Sequence, residues 1–159
     1  MAGSASRRRA GCNRSRRDVG DLLDAFFPLA ELDAFCAGCD ALVVACALTE
    51  DTRALVGMRQ FRLMKRGAVV VNVARGEILD FAGLRDALQE GVLGSAVLDV
   101  WHDDRTTVPE LMRLPGVIAT PHVSGLTRQM LERRWAQVAE NLGRLARGEA
   151  LCNVISLPA

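Results

Sequence analysis

Three kinds of residue in this chain sit where chemistry can be done. In VVVNVARGEILD, residues 69–80, a β-branched run ends against Arg75 and a glycine. A guanidinium there escapes the core and offers a rigid set of donors suited to a carboxylate or a phosphate. In TPHVSGLT, residues 120–127, Pro121 fixes the backbone just before His122, and Ser124 or Thr127 can cap a following helix. The imidazole therefore stands at a rigid junction, where it can exchange a proton near neutral pH. In LDVWHDD, Asp99 closes an apolar run and Asp103 and Asp104 follow it. Each has an ordinary reading: a surface ion pair for the arginine, a structural role for the histidine, solvated loops for the carboxylates. What separates them from those readings is their placement together.

That placement depends on the elements between them. Apolar positions in DVGDLLDAFFPLAELDAFCAG fit short helical pieces broken near Pro28, and Ala41 to Cys46 reads as a buried strand. Met58 to Lys65 reads as a helix stopped at Gly67, followed by a second continuous apolar strand from Ala68 to Val73. Asp80 caps FAGLRDALQEG, Gly91 ends it, and Ser95 to Leu98 forms a third strand that stops at Asp99. A short fourth strand is expected at Val117 to Ala119. Leu126, Met130, Leu131, Trp135, Val138, Leu142 and Leu145 then recur at helical spacing, which predicts one long amphipathic helix from about Ser124 to Ala146. Strands alternating with helices imply a parallel sheet, and in such sheets ligands bind beyond the carboxyl ends of the strands. Cys46, Arg75, Asp99 and His122 all follow strand ends, so one edge collects them.

Composition sets the outer limits. With 159 residues, 50% of them hydrophobic and a formal net charge of +1, the chain can bury a core and has no overall basic excess for nucleic acid. No apolar run reaches the roughly 18 residues of a membrane span, and no signal peptide opens the chain, so a cytoplasmic location is the expectation. Residues 1–17 form a basic segment with six arginines and no acid, best read as solvated and poorly ordered. Residues 18–150 make the folded domain and 151–159 a tail. Of five cysteines, Cys36 and Cys39 have redox spacing, but no histidine or second pair completes a metal set. Small buried apolar residues are the plainer reading of these two. No metal site is expected.

With those elements in place, three blocks in order carry a resemblance: DALVVACALTEDTRALVG, then GAVVVNVARGEILDFAGLRDALQEGVLGSAVLDVW, then LPGVIATPHVSGLT. Over about residues 38–155 the chain resembles the C-terminal part of the nucleotide-binding domain in the D-isomer-specific 2-hydroxyacid dehydrogenases. The resemblance implies an α/β fold, a partial Rossmann-type doubly wound parallel sheet with a long C-terminal helix. It also implies NAD or NADP as cofactor, a small 2-hydroxy or 2-oxo acid as substrate, and a homodimer. By the same resemblance, Arg75 would grip the substrate carboxylate and His122 would act as general acid and base, with Asp104 as its acidic partner. Cys46, Thr52, Val73 and Ala74 would line the nicotinamide side, Asp99 would hold the carboxamide, and Ser124 and Gly125 would close over it. Arg14, Ser15 and Arg16 would fall where family members read the adenosine ribose, and arginines there incline toward NADP.

The chain departs from that family in four places. Aspartate replaces the usual glutamate at 104, one methylene shorter, and Ala47 stands where a proline is common. No GxGxxG occurs among the 159 residues, although that loop brings backbone N–H groups to a pyrophosphate. A substrate domain is also not recognisable. The expectation is a fragment, a truncated product or a degenerate paralogue with weak or no turnover by itself. The alternative is a non-catalytic binding or dimerisation module derived from the family.

Overall fold

The computed structural model describes residues 10–13, 23–101 and 107–155. It divides into two compact units, Met1–His122 and Val123–Ala159, so that residues 18–150 span both.

The first unit holds two wholly parallel sheets. Strand β1 (Ala10–Asn13) pairs with β2 (Ala25–Pro28). Strands β3 (Ala41–Val44), β4 (Ala68–Asn72), β5 (Leu93–Leu98) and β6 (Val117–Ala119) pair side by side in chain order. Helices α1 (Leu32–Cys36), α2 (Met58–Leu63) and α3 (Phe81–Gln89) form the connections up to β5, and α4 (Thr107–Met112) precedes β6.

Strand β4 shows how sequence produces this layer. Its residues alternate faces: Ala68, Val70 and Asn72 are buried, while Val69 and Val71 are half-buried. Apart from Asn72 at its end, both faces are apolar, as a strand inside a parallel sheet requires. The buried face packs with Leu84 of α3, Phe61 of α2, Ile78 and Leu98, all fully enclosed. Each such side chain stabilises the fold by about 1.5–3 kcal/mol relative to exposure.

Helix α3 begins where an aspartate can accept from its first turn. The Asp80 Oδ1 accepts from the Gly83 N–H at 3.1 Å. Past its end, Gly91 turns the chain at φ 67°.

Three expectations need correcting. Ala25–Pro28 is strand β2 instead of a helical piece, because a four-residue apolar run has no decisive period and pairing with β1 settles it. Helix α4 was not anticipated; Pro109 in its first turns conceals the helical pattern, although proline is tolerated near a helix start. The long helix starts later than expected, as described next.

The second unit is built on α5 (Arg128–Ala146), whose N-cap is Thr127 and not Ser124. The Thr127 Oγ1 accepts from the Met130 N–H at 3.1 Å. Beyond the helix, the Asn141 amide brackets the Cys152 backbone, donating to its carbonyl at 3.2 Å and accepting from its N–H at 2.9 Å. Among the described residues, no helix is long and apolar enough to cross a membrane.

The β4–β5 pairing carries one irregularity, a register shift at Ala68/Val69. There β5 passes so close to the chain before β4 that a Cβ on Gly94 would lie 2.5 Å from the Gly67 carbonyl oxygen. Because that neighbour is backbone, it cannot swing aside. Gly94→Ala is expected to lower stability by about 1–3 kcal/mol, read as a lower urea midpoint with an unchanged m-value.

Candidate active site at the carboxyl edge of the sheet

Four parallel strands in the order β3, β4, β5, β6 end on the same edge, so the residues after them form one line. Cys46 follows β3, Val73 to Arg75 follow β4, Asp99 follows β5, and His122 stands three residues beyond β6. Arg75 and His122 leave from strands two places apart, or about 10 Å at ordinary strand spacing.

The turn that presents Arg75 is held by Asn72. This side chain is fully buried at the end of β4. Its Nδ2 donates to the Arg75 carbonyl at 2.8 Å, and its Oδ1 accepts from the Ala74 N–H at 3.0 Å. Its own carbonyl accepts from the Asp99 N–H at 3.0 Å, tying the ends of β4 and β5 together. Arg75 is itself exposed, with Nη1 donating to the Ala74 carbonyl at 2.7 Å. The guanidinium is thus outside the core on a backbone that the core controls. Val73 is partly exposed and Ala74 is buried.

Asp99 lies at 2% exposure, an unusual position for a carboxylate unless it is hydrogen-bonded. The Thr120 hydroxyl donates to its Oδ1, linking the exits of β5 and β6. His122 is exposed, and its backbone takes the left-handed conformation at φ 55°. Few non-glycine residues adopt that region, and such strain clusters at functional sites. Its N–H donates to the Thr120 carbonyl at 3.0 Å, so Thr120 holds both Asp99 and the His122 backbone.

On the β3 side, Thr52 is buried and works within its own loop. Its Oγ1 donates to the Ala47 carbonyl at 2.8 Å and accepts from the Thr49 N–H at 2.7 Å. Thr52 therefore shapes the loop after β3. Cys46 lies on the same loop, and partial burial pushes its thiol pKa above the ordinary value. Cys46, Ala47, Thr49 and Thr52 line one end of a cavity of about 420 Å³.

The structure thus brings Cys46, Val73, Ala74, Arg75, Asp99 and His122 to one edge, with Thr52 beside them. Ser124 and Gly125 belong to the second unit, where both are exposed. Arg14, Ser15, Arg16 and Asp104 lie outside the described residues. Sequence reading passed over Asn72 and Thr120. A signal for Asn72 was present: it shares the Ala68 and Val70 face, and a polar residue at a buried strand position must find partners. Among the described residues no cluster of potential metal ligands occurs.

Comparison with known proteins gives this edge a lineage. The D-isomer specific 2-hydroxyacid dehydrogenase, NAD binding domain, matches residues 6–124. A D-3-phosphoglycerate dehydrogenase of Methanocaldococcus jannaschii is 34% identical over 80% of this chain and 24% of its own length. A glyoxylate reductase of Thermococcus gammatolerans is 37% identical over 81% of this chain and 38% of its own. The chain therefore spans well under half the length of these curated relatives. Among solved structures, a D-isomer specific 2-hydroxyacid dehydrogenase from Xanthobacter autotrophicus Py2, in complex with NADPH and MES, superposes with a TM-score of 0.76 at 31% identity. That match covers 92% of this chain and 60% of the other. With three quarters of its length inside the match and its strand exits in the order described, the chain belongs to the D-isomer specific 2-hydroxyacid dehydrogenase family, in the part that forms the NAD-binding domain.

Proposed function

We propose that this chain contributes the nicotinamide-side half of an oxidoreductase acting on a small 2-hydroxy or 2-oxo acid. The observation that carries the reading is the common edge on which the Asn72-held Arg75, the buried Asp99 and the strained His122 backbone follow successive strands.

The residues present fit the nicotinamide end of a dinucleotide. Val73 and Ala74 offer small apolar surface beside a buried carboxylate, and Cys46, Ala47 and Thr52 continue the lining. When bound, the coenzyme supplies hydride acceptance or donation at the substrate carbon. Asp99 would accept from a carboxamide N–H. Arg75 would bind the substrate carboxylate through two parallel N–H donors and polarise the adjacent carbonyl. His122 would give a proton to the carbonyl oxygen in the reducing direction and remove it from the hydroxyl in the oxidising one. Asp104 is assigned as a positioning residue that orients the imidazole, its aspartate reaching one methylene less far than a glutamate. Ser124 and Gly125 are assigned as further cofactor residues, and Arg14, Ser15 and Arg16 are assigned to the ribose end of NAD or NADP. Homodimerisation and a cytoplasmic location complete the proposal.

A binding or dimerisation role without turnover is favoured by a different observation. The cavity that ends at Cys46 is bordered by β1 and β3, neither of which has a second strand partner among the described residues.

Three measurements test the enzyme reading. In NADH-dependent reduction of glyoxylate by the chain complemented with a GxGxxG-bearing half, or by a chimera carrying one, Arg75→Lys keeps the charge but loses the paired donors, and is expected to lower kcat/KM by about tenfold to a hundredfold. His122→Ala is expected to lower kcat by about a hundredfold to ten-thousandfold. Wild-type rates from both variants would exclude this catalytic set. Asn72→Ala leaves the Ala74 N–H and the Arg75 carbonyl without their side-chain partner, so stability should fall by about 1–3 kcal/mol and KM should rise as Arg75 loses its position. The third measurement uses Cys46. With a thiol pKa raised by burial, iodoacetamide labelling of Cys46 should climb at a higher pH than that of a free cysteine. In the same complemented protein, saturating NADH should slow the labelling at every pH, and an unchanged rate places the cofactor elsewhere.

A further inference from the structure

We infer that Cys36 and Cys39 are a reversible dithiol–disulfide pair, a modification site at the entry to β3 that exchanges with small-molecule disulfides. The pair goes beyond the proposed function: it precedes β3, whereas Cys46 and the carboxyl edge lie past the other end of that strand.

The chain passes from α1 to β3 through a tight turn. Ala37 has φ −60° and ψ 116° and Gly38 has φ 77°, as the two central residues of a type II turn require. The Cys39 N–H donates to the Cys36 carbonyl at 3.0 Å and closes the turn. Such a turn keeps its first and last Cα atoms within about 7 Å, and a disulfide spans about 4.4–6.8 Å between Cα atoms. Cys36 and Cys39 occupy those first and last positions. Two further bonds fix the turn from outside: the Gly38 N–H donates to the Leu63 carbonyl at 3.2 Å, and the Lys65 N–H to the Cys39 carbonyl at 3.1 Å.

Burial assigns an order to the two thiols. Cys36 is fully buried in the same core cluster as Leu42 and Phe61, whereas Cys39 is half-buried and Ala37 and Gly38 beside it are exposed. A Cβ on Gly38 would meet nothing within 4 Å, so the tip of the turn is open to an approaching molecule. A small disulfide therefore meets Cys39 first. The Cys39 Sγ donates to the Phe35 carbonyl at 2.9 Å, and a side-chain rotation releases it toward Cys36. Burial, and next the Asp40 carboxylate, push the Cys39 thiol pKa up while Lys65 opposes them, so exchange proceeds slowly through a small thiolate fraction.

The Cys39 thiolate attacks one sulfur of the small disulfide, forms a mixed disulfide and expels one thiolate. That thiolate takes the Cys36 proton. The Cys36 sulfur then attacks the Cys39 sulfur and expels the second thiolate, which takes up the proton that Cys39 first lost. Two protein thiols are oxidised to one disulfide and one small disulfide is reduced to two thiols, and excess small thiol runs the exchange backwards. An unfolded chain visits the closed turn in a minority of its conformations, while the folded chain holds it closed. The bond therefore forms more readily in the folded state, and by linkage the oxidised chain resists unfolding more than the reduced one. Two cysteines serving only as small apolar filler would show neither effect.

The test equilibrates the full chain with mixtures of oxidised and reduced glutathione, quenches in acid and maps the disulfides by mass spectrometry. At one glutathione ratio, the proportion of Cys36–Cys39 disulfide to dithiol is expected to be about tenfold or more higher in the folded chain than in the chain unfolded by urea. The oxidised chain should show the higher urea midpoint. Cys36→Ala should stop at glutathione held on Cys39, and Cys39→Ser should leave Cys36 unmodified. If Cys36→Ala does not fold, the folded-to-unfolded comparison on the unaltered chain still decides. Four outcomes overturn the inference: an equal proportion in both states, pairing of either cysteine with Cys46, a lower urea midpoint after oxidation, or glutathione on Cys36 in the Cys39→Ser chain. No coenzyme enters the measurement, so it reads this pair separately from the proposed function.

Discussion

The buried amide of Asn72 is the point on which the candidate site turns. A carboxamide inside a parallel sheet must find hydrogen-bond partners, and it does so with Ala74 and Arg75, just past the end of β4. That requirement forces the chain into a turn at Val73 and Ala74 and presents Arg75 outside the core. The Asn72 carbonyl at the same time receives the Asp99 N–H, so the ends of two strands are set by one residue. A guanidinium on a flexible loop would lose affinity to ordering; one on a backbone clamped by a buried amide does not.

Thr120 performs the corresponding task one strand further along. Its hydroxyl meets Asp99 and its carbonyl meets the His122 N–H, so β5 and β6 are joined beyond the point where their ladder ends. The left-handed backbone of His122 is compatible with this because Pro121 and the Thr120 contact restrict the alternatives. Side-chain and backbone bonds at the strand exits together hold the line from Arg75 to His122. Surface ion pairs such as Lys65 with Asp40 lie far down the chain of importance, since exposed pairs contribute little.

Toward β3 the same sheet borders a cavity, and Val43 stays exposed. Thr52 uses its hydroxyl to fold the loop that borders this cavity. The edge that collects Arg75, Asp99 and His122 and the cavity lined by residues of β1 and β3 thus lie in one unit, with Cys46 common to both.

Much of this was legible in the sequence. Four strands of the larger sheet, the Asp80 cap and the placement of Arg75, Asp99 and His122 at strand exits follow from β-branched runs, a helix-start aspartate and glycine stops, all local signals. A short run such as Ala25–Pro28 was not, because four apolar residues fit either period and only pairing with β1 makes them a strand. Nor did local pattern reveal α4, where Pro109 interrupts the helical spacing. The sequence by itself determined which residue types end which strands. The tertiary structure alone decided that Asn72 and Thr120 hold those ends, because hydrogen-bond partners across strands are set by register and burial, which no local spacing encodes.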